Sequence, residues 1–128
     1  QAGGFSGFPG TKYPNLFTFY AVAAQGKTNE ECLSAIDEEI SKLKKDPVSN
    51  EDLGAVKTRA RADLIRSLRS NAGMAGQLTY YQAMTGDWRN LFTQLDKINA
   101  VTAADIQRVA NNVFINSNRT IGTLEPVK

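Results

Sequence analysis

The 128-residue sequence predicts an α+β fold, in which a mostly helical block packs on a small antiparallel sheet. Two segments near the start have the composition of strands, and four or five amphipathic helices follow them. Residues 119–124 are predicted to form a last short strand. Strands at both ends of a helical block are typical of α+β domains, so we expect the last strand to return beside the first two.

The sheet is predicted mainly from the start of the chain. Residues 2–8 combine glycines with phenylalanines, which indicates a short strand followed by a loop. Residues 16–24 (LFTFYAVAA) are apolar or aromatic at nearly every position, so we expect this strand to lie inside a sheet with both faces covered, or at least to pack under helices. So few strands cannot cover so much helix. We therefore expect residues 1–128 to be a single, incomplete domain, with more of the sheet before Gln1.

Helix starts are marked by a hydroxyl residue followed three positions later by a carboxylate, the pattern of a capping box. These pairs are Thr28 with Glu31, Ser49 with Asp52, and Thr102 with Asp105. Pro47 is predicted to end the first helix, and Gly86 a later one. Gly73 and Gly76 weaken helix locally, so we expect a bend or short break there.

Apolar residues recur at helical spacing and are predicted to form the core. In the second helix they are Leu53, Val56, Ala60, Leu64 and Leu68. Four aromatic residues further on could stack on a base or sugar, but at this spacing we expect them in the core: Tyr80, Tyr81, Trp88 and Phe92. Cys32, the one cysteine, is expected to be a small core residue rather than a reactive thiol.

The composition is that of an ordinary globular protein, with 41% hydrophobic and 22% charged residues. A net charge of +2 does not indicate a nucleic-acid partner. No apolar run approaches the ~20 residues that a membrane span needs. The sequence does not predict a cellular compartment.

The order of several short motifs resembles the C-terminal half of proteins of the pitrilysin/insulinase family of zinc metallopeptidases, and of processing-peptidase-like members in particular. Each motif alone is weak, but their order and spacing together are specific. They are YPNLFTFYA (13–21), GKTNEE (26–31), DPVSNEDL (46–53), the helix with Arg59 and Arg61, SNAGMA (70–75), GDWRNLF (86–92) and VTAADI (101–106).

The resemblance implies a protein built from two related α+β halves that enclose a chamber. In the active half, an HxxEH helix and a distant glutamate bind zinc, which activates a water molecule. The other half binds no metal and commonly contributes an arginine and a tyrosine that steady the substrate. This chain has no histidine, and the arginine–tyrosine segment would lie before Gln1. We therefore predict no catalytic, cofactor-binding or metal-binding residue here.

By this resemblance the chain is the non-catalytic C-terminal part of a zinc metalloendopeptidase, forming a chamber wall and a substrate-aligning surface for unfolded peptides. The parent protein is expected to be an enzyme and this chain alone not. If the parent is active, zinc belongs to its N-terminal half, on the same chain or on a separate subunit. The alternative is a structural or partner subunit of an inactive family member. We also expect an exposed sheet edge that favours self-association.

Other side-chain groups have ordinary structural explanations that we favour. The acidic residues of the first helix are predicted to be a solvated face rather than a metal or acid–base cluster: Glu30, Glu31, Asp37, Glu38 and Glu39. The arginines of the second helix are predicted to pair with Asp63 rather than to bind phosphate or acidic peptide: Arg59, Arg61, Arg66 and Arg69. The sequon Asn118-Arg-Thr120 carries no weight alone. Phe5, Phe8 and Tyr13 could line a peptide-binding wall or be buried against further strands.

Overall fold

A computed structural model describes residues 1–125 and confirms the α+β fold, with a two-stranded antiparallel sheet. The strands are β1 (Ala2–Phe8) and β2 (Leu16–Ala21). The helices are α1 (Asn29–Lys45), α2 (Asn50–Ser67), α3 (Asn71–Thr85), α4 (Gln94–Ala100) and α5 (Ala103–Val113), with 3₁₀ turns at Trp88–Leu91 and Asn116–Asn118. The chain divides into two compact units, Val48–Ile106 and the residues on either side of it.

The first unit, residues 1–47 and 107–125, contains the β1–β2 hairpin. Gly3 lies opposite Tyr20, and Phe5 lies opposite Thr18. The register shifts between Ser6 and Phe8, where Gly7 adopts a φ of +98°. Such a bulge needs a residue without a side chain, which explains the glycine.

One face of the hairpin packs against the end of α5. The Phe17 and Phe19 ring centroids lie 4.9 Å apart, and each is within 5.3 Å of the Phe114 ring centroid. We call this side the inner face. The last carbonyls of α1 are also bound from α5, since the Gln107 side chain donates to Lys44 and Lys45. These contacts hold α1, α5 and the hairpin in one unit.

On the other side of the hairpin, three apolar side chains in and just after β2 are exposed. Leu16 is 60% exposed, Tyr20 41% and Val22 62%. The prediction that both faces are covered is therefore wrong for these residues. The physical reason is that the Phe114 ring packs against Phe17 and Phe19, which lie on the opposite side of the hairpin from these three residues.

The predicted last strand over residues 119–124 is also wrong, because residues 119–125 form no strand. This segment is held by side chains of α1 instead. An Arg119 guanidinium nitrogen lies 2.7 Å from an Asp37 carboxylate oxygen, and the Asn29 side chain donates to the Leu124 carbonyl at 3.1 Å. These contacts fix the segment without a ladder of backbone hydrogen bonds.

The predicted helix signals are confirmed. Thr28 forms a complete capping box with Glu31, and Ser49 accepts a hydrogen bond from the Asp52 N–H. The first helix ends at Lys45, just before Pro47. Gly86 ends α3 with a φ of +78°, a left-handed conformation that glycine adopts without strain.

The second unit, Val48–Ile106, is helical. The expected break comes at residues 68–70, before both glycines, because Ser70 caps a new helix by accepting from the Gly73 N–H. A side chain at Gly73 would collide with the Ser67 carbonyl, so glycine permits this tight junction. Leu91 is 1% exposed and lies at the centre of the unit's packing. No helix among residues 1–125 is long and apolar enough to cross a membrane.

Candidate peptide-contact surface

The uncovered side of the hairpin is the candidate functional surface, and we call it the outer face. Side chains alternate along a strand, so residues of β1 and β2 that pair with each other point to the same side. The large outer-face side chains and their exposed fractions are Phe5 47%, Phe8 55%, Leu16 60%, Tyr20 41% and Val22 62%. Because these exposed apolar side chains lie on one side of the hairpin, this side is the candidate contact surface.

Glycine shapes the outer face. A Cβ atom at Gly3 would lie 3.0 Å from the Tyr20 ring, so this ring lies across β1 where another residue would carry a side chain. The tyrosine ring therefore spans both strands, and the backbone of β1 stays accessible from its outer edge. A strand with glycine at such a position allows another backbone to approach closely.

The outer face carries almost no charge. Residues 1–26 contain Lys12 and no carboxylate. The Lys12 ammonium lies 6.0 Å from the Tyr13 ring centroid, and the Tyr13 side chain is 74% exposed. An uncharged, apolar and partly aromatic surface suits an extended apolar segment of another polypeptide.

The acidic residues of α1 lie on an exposed face, as predicted, and all but Glu30 belong to ion pairs, with Asp37 paired to Arg119. Lys27 lies 2.8 Å from Glu31, and its hydrogen bond, followed by that of the Thr28 N–H, lowers the pKa of Glu31. Lys42 lies 2.8 Å from Glu38 and lowers the pKa of that carboxyl in the same way. Glu39 lies 2.9 Å from the same ammonium. These groups support the helix and do not converge on one point.

The arginines of α2 are only partly explained by pairing. Arg66 lies 3.0 Å from Asp63, as predicted. Arg59, Arg61 and Arg69 are exposed, and within residues 1–125 they form no ion pair. None of the three lines the apolar depression described below.

Three of the four aromatic residues predicted for the core of the second unit are exposed, so the prediction is wrong for them, whereas Tyr81 is half-buried. Trp88 is 39% exposed, Phe92 56% and Tyr80 46%, and Val56 on α2 is 63% exposed. Leu91 is the buried side chain here, and the exposed rings contact other rings in pairs, with the Trp88 and Phe92 centroids 5.9 Å apart. The aromatic residues have the helical spacing that is typical of core residues. Spacing alone does not show whether such a row of side chains is buried or exposed.

The side chain of Trp88 borders an open apolar depression in the second unit. Its other lining residues are Leu78, Thr79, Gln82 and Ala83. Gln82 cannot orient a ligand there, because its amide already donates to the Gly86 carbonyl and accepts from the Trp88 N–H. The Arg89 guanidinium lies 4.6 Å from the Trp88 ring centroid. The lining is therefore mostly apolar, and it carries no charged group.

Residues able to bind metal are not clustered. Among the described residues, no group of three or more His, Cys, Asp or Glu side chains could hold an ion. Cys32 is half-buried on α1, near its expected place. The amide of Asn118, in the sequon, donates to the Val113 carbonyl at 3.4 Å. That the chain holds no cofactor stays a prediction.

Sequence reasoning missed the three outer-face residues of β2. Leu16, Tyr20 and Val22 were expected to be buried, because an apolar run predicts burial on both sides. Gly3 and Gly4 in β1 were a usable signal. Glycines opposite aromatic residues indicate rings that lie across the neighbouring strand, and hence a thin sheet with one accessible side.

Comparison with solved structures gives the class of protein to which this fold corresponds. A structure described as a "putative zinc protease" from Bordetella pertussis Tohama I matches with a TM-score of 0.80 and 26% sequence identity, over 97% of this chain and 67% of that chain. A protease from Helicobacter pylori matches in fold, with a TM-score of 0.78 and 24% identity, over 92% of this chain and 28% of that one.

The chain therefore has the fold of one portion of a protease chain. It spans about two thirds of the first structure and less than a third of the second. No family model matches the sequence, and no curated protein matches it.

Proposed function

We propose that this chain is the non-catalytic C-terminal part of a zinc metalloendopeptidase of the pitrilysin/insulinase type. The observation that carries the proposal is the match to a zinc-protease-like structure over 97% of a chain that contains no histidine. Catalytic zinc is held by three protein ligands that commonly include histidine, and it keeps one position open for water. The hydrolytic centre accordingly belongs to another polypeptide segment or subunit.

The chain's own contribution is a wall that contacts unfolded peptide. Its outer face offers apolar side chains without fixed polar groups, which suits substrates recognised by extended shape rather than by one sequence. Phe8 and Leu16 lie next to each other across the hairpin and are both more than half exposed. An unfolded peptide would bury them by lying along the sheet.

The test is binding of a fluorescently labelled unfolded peptide with alternating leucines to the whole chain, followed by anisotropy. Leu16→Ser removes apolar surface that is 60% exposed. We expect it to weaken binding by about fivefold, the effect of losing part of one leucine contact.

Val56→Ser is the matched control, because Val56 is 63% exposed and lies on α2. It removes a similar apolar side chain from the other compact unit, and binding should stay within about twofold of the native value. Equal losses in both variants would mean nonspecific adhesion. If Leu16→Ser bound the peptide as tightly as the native chain does, the outer face would not be the peptide-binding surface.

The alternative is that this chain is a partner subunit of an inactive family member. The two functions predict different rates of peptide cleavage when a catalytic half is added. A chain that forms part of an active chamber should raise the rate at which an added HxxEH-containing half cleaves unfolded peptide. A purely structural subunit should bind that half and leave the rate unchanged. The cleavage rate therefore distinguishes the two proposals, and binding of the catalytic half, which both predict, is the control.

A further inference from the structure

Lys44, in the last turn of α1, is joined by a hydrogen bond to Phe114, the residue that follows α5. The Lys44 ammonium donates to the Phe114 carbonyl in a partly buried position. Carbonyl groups at the end of a helix have no partner within that helix, and a positive charge stabilises that end. Phe114 still belongs to this end, because its N–H donates to the Ala110 carbonyl at 3.1 Å. Lys44 therefore fixes the backbone of the residue whose ring packs on the hairpin.

The two helices are also joined by hydrogen bonds that do not involve the Lys44 ammonium. The Gln107 amide donates to the Lys44 carbonyl at 3.1 Å and to the Lys45 carbonyl at 3.0 Å. The Asn111 amide donates to the Lys44 carbonyl at 3.1 Å. Because these bonds use the backbone of α1, they persist when the Lys44 side chain is changed. Loss of the ammonium should thus alter the position of Phe114 without separating α1 from α5.

The ring of Phe114 connects this position to β2. Its centroid lies 5.2 Å from that of Phe17 and 5.3 Å from that of Phe19. These two side chains are 46% and 38% exposed, so they are not enclosed in a deep core and should respond when one ring contact is weakened. Side chains alternate along a strand, so a rotation of β2 that displaces the two rings also displaces Leu16 and Tyr20 on the outer face.

We propose that Lys44 is a positioning residue for the outer face. By fixing the Phe114 backbone it sets where the ring lies against β2, and with it the direction in which Leu16 and Tyr20 meet a peptide. This inference rests on the peptide-contact function proposed above. It adds to that function a residue that does not itself touch the peptide.

The test is hydrogen exchange at the backbone amides that pair β1 with β2, compared with those of α2 in the other compact unit. Lys44→Met keeps the apolar stem and loses the ammonium. We expect its hairpin amides to exchange about fivefold faster than native, the effect of losing one hydrogen bond from a charged group. The α2 amides should stay within about twofold of native. Lys44→Arg keeps a cationic donor and should bring hairpin exchange back to within about twofold of native.

Two control variants separate positioning from general stability. Lys45→Met removes an exposed charge from the next residue of α1. Gln107→Ala removes two hydrogen bonds between the helix ends and keeps the Lys44 ammonium on Phe114. Hairpin exchange should stay within about twofold of native in both. If Gln107→Ala accelerated it as much as Lys44→Met does, packing between the helices would be the cause, and the proposal would be overturned.

Anisotropy with the labelled unfolded peptide shows whether the outer face depends on this contact. Lys44→Met should bind the peptide about threefold more weakly than native, and Lys44→Arg should bind it within about twofold of native. Native hairpin exchange in Lys44→Met overturns the proposal, and so does faster exchange with native peptide affinity.

Two further outcomes have separate meanings. If the native chain bound no peptide, the proposed function would fail, and hydrogen exchange would still show whether Lys44 positions the hairpin. If circular dichroism showed that Lys44→Met is unfolded, Lys44→Leu would replace it with the same expected results.

Discussion

The inner and outer faces of one hairpin use similar residues in different ways. On the inner face, Phe17 and Phe19 contact Phe114 from α5. On the outer face, Phe8 and Leu16 are also large and apolar, yet they are 55% and 60% exposed. Composition alone therefore does not separate structural from functional apolar residues in this chain. The difference is whether a described side chain such as Phe114 packs on that side, and the proposed peptide contact is on the other side.

The largest expected effect is from Phe114→Ala, which removes the helix side of the aromatic cluster. We expect a loss of about 2–3 kcal/mol in the free energy of unfolding, somewhat below the usual cost for a fully buried phenylalanine. Phe8→Ala is the control on the outer face, where the ring is 55% exposed, and should cost less than about 1 kcal/mol. Urea unfolding measures both. Equal losses would mean that the two faces do not differ in packing.

Two neighbouring glycines sharpen the same comparison. A Cβ at Gly4 would lie 3.1 Å from the Phe19 ring and 3.4 Å from the Phe17 ring, both held by Phe114. Gly4→Ala should therefore cost about 1–2 kcal/mol. A Cβ at Gly3 meets the Tyr20 ring, which is 41% exposed and can turn towards solvent.

Gly3→Ala should accordingly change the free energy of unfolding by less than about 0.5 kcal/mol. Thermal denaturation of the two variants side by side gives the difference. If Gly3→Ala were the more destabilising of the pair, the outer face would be the more tightly packed one.

The next effect concerns α1, which supports the inner face. Thr28→Ala removes the side chain that accepts from the Glu31 N–H at 3.2 Å. Loss of an N-cap hydroxyl typically costs about 1 kcal/mol, and we expect that value in chemical denaturation. Thr28→Ser keeps the acceptor and should be nearly neutral. A neutral alanine variant would show that the cap adds nothing to this helix.

The smallest effect is the response to acid, which should come from α1 rather than from the hairpin. The pKa of Glu31 is lowered by its hydrogen bond to Lys27, and that of Glu38 by Lys42, both from an ordinary value of 4.5. A carboxyl group with a lowered folded-state pKa stabilises the fold above its unfolded pKa and loses that effect as pH falls through the folded value.

The melting temperature should therefore fall as pH drops below about 4.5, and fall less in Glu31→Gln. Because both carboxyl groups are exposed, the effect should shrink at high salt. An outer-face variant such as Leu16→Ser should retain the full native acid response. If the melting temperature of Leu16→Ser did not fall at low pH, the hairpin and not α1 alone would contribute to the acid response.

Local chemistry made the helices predictable. Thr28, Ser49 and Gly86 each act through their own backbone, within a few residues of sequence, and each lies where the sequence predicted. The conformation of residues 119–125, which form no strand, was not predictable in this way. Its apolar residues fit a strand, but Arg119 and Leu124 are held by α1 side chains that are distant in sequence.

The candidate surface shows the same limit. The residue pattern of β2 predicts burial, and only the placement of α1 and α5 determines which side is covered. Phe5 and Phe8 were recognised as candidates because aromatic residues among glycines need a surface to cover. Leu16 and Tyr20 were not, since nothing local distinguishes them from Phe17 and Phe19.

The central claim is that the residues that catalyse hydrolysis lie outside this chain, and that this chain forms part of the chamber wall. Its most direct test is the cleavage rate of a fluorogenic unfolded peptide by the purified chain, with added zinc and with a chelator. The account predicts the same background rate in both conditions. Zinc-dependent cleavage that the chelator abolishes would contradict it.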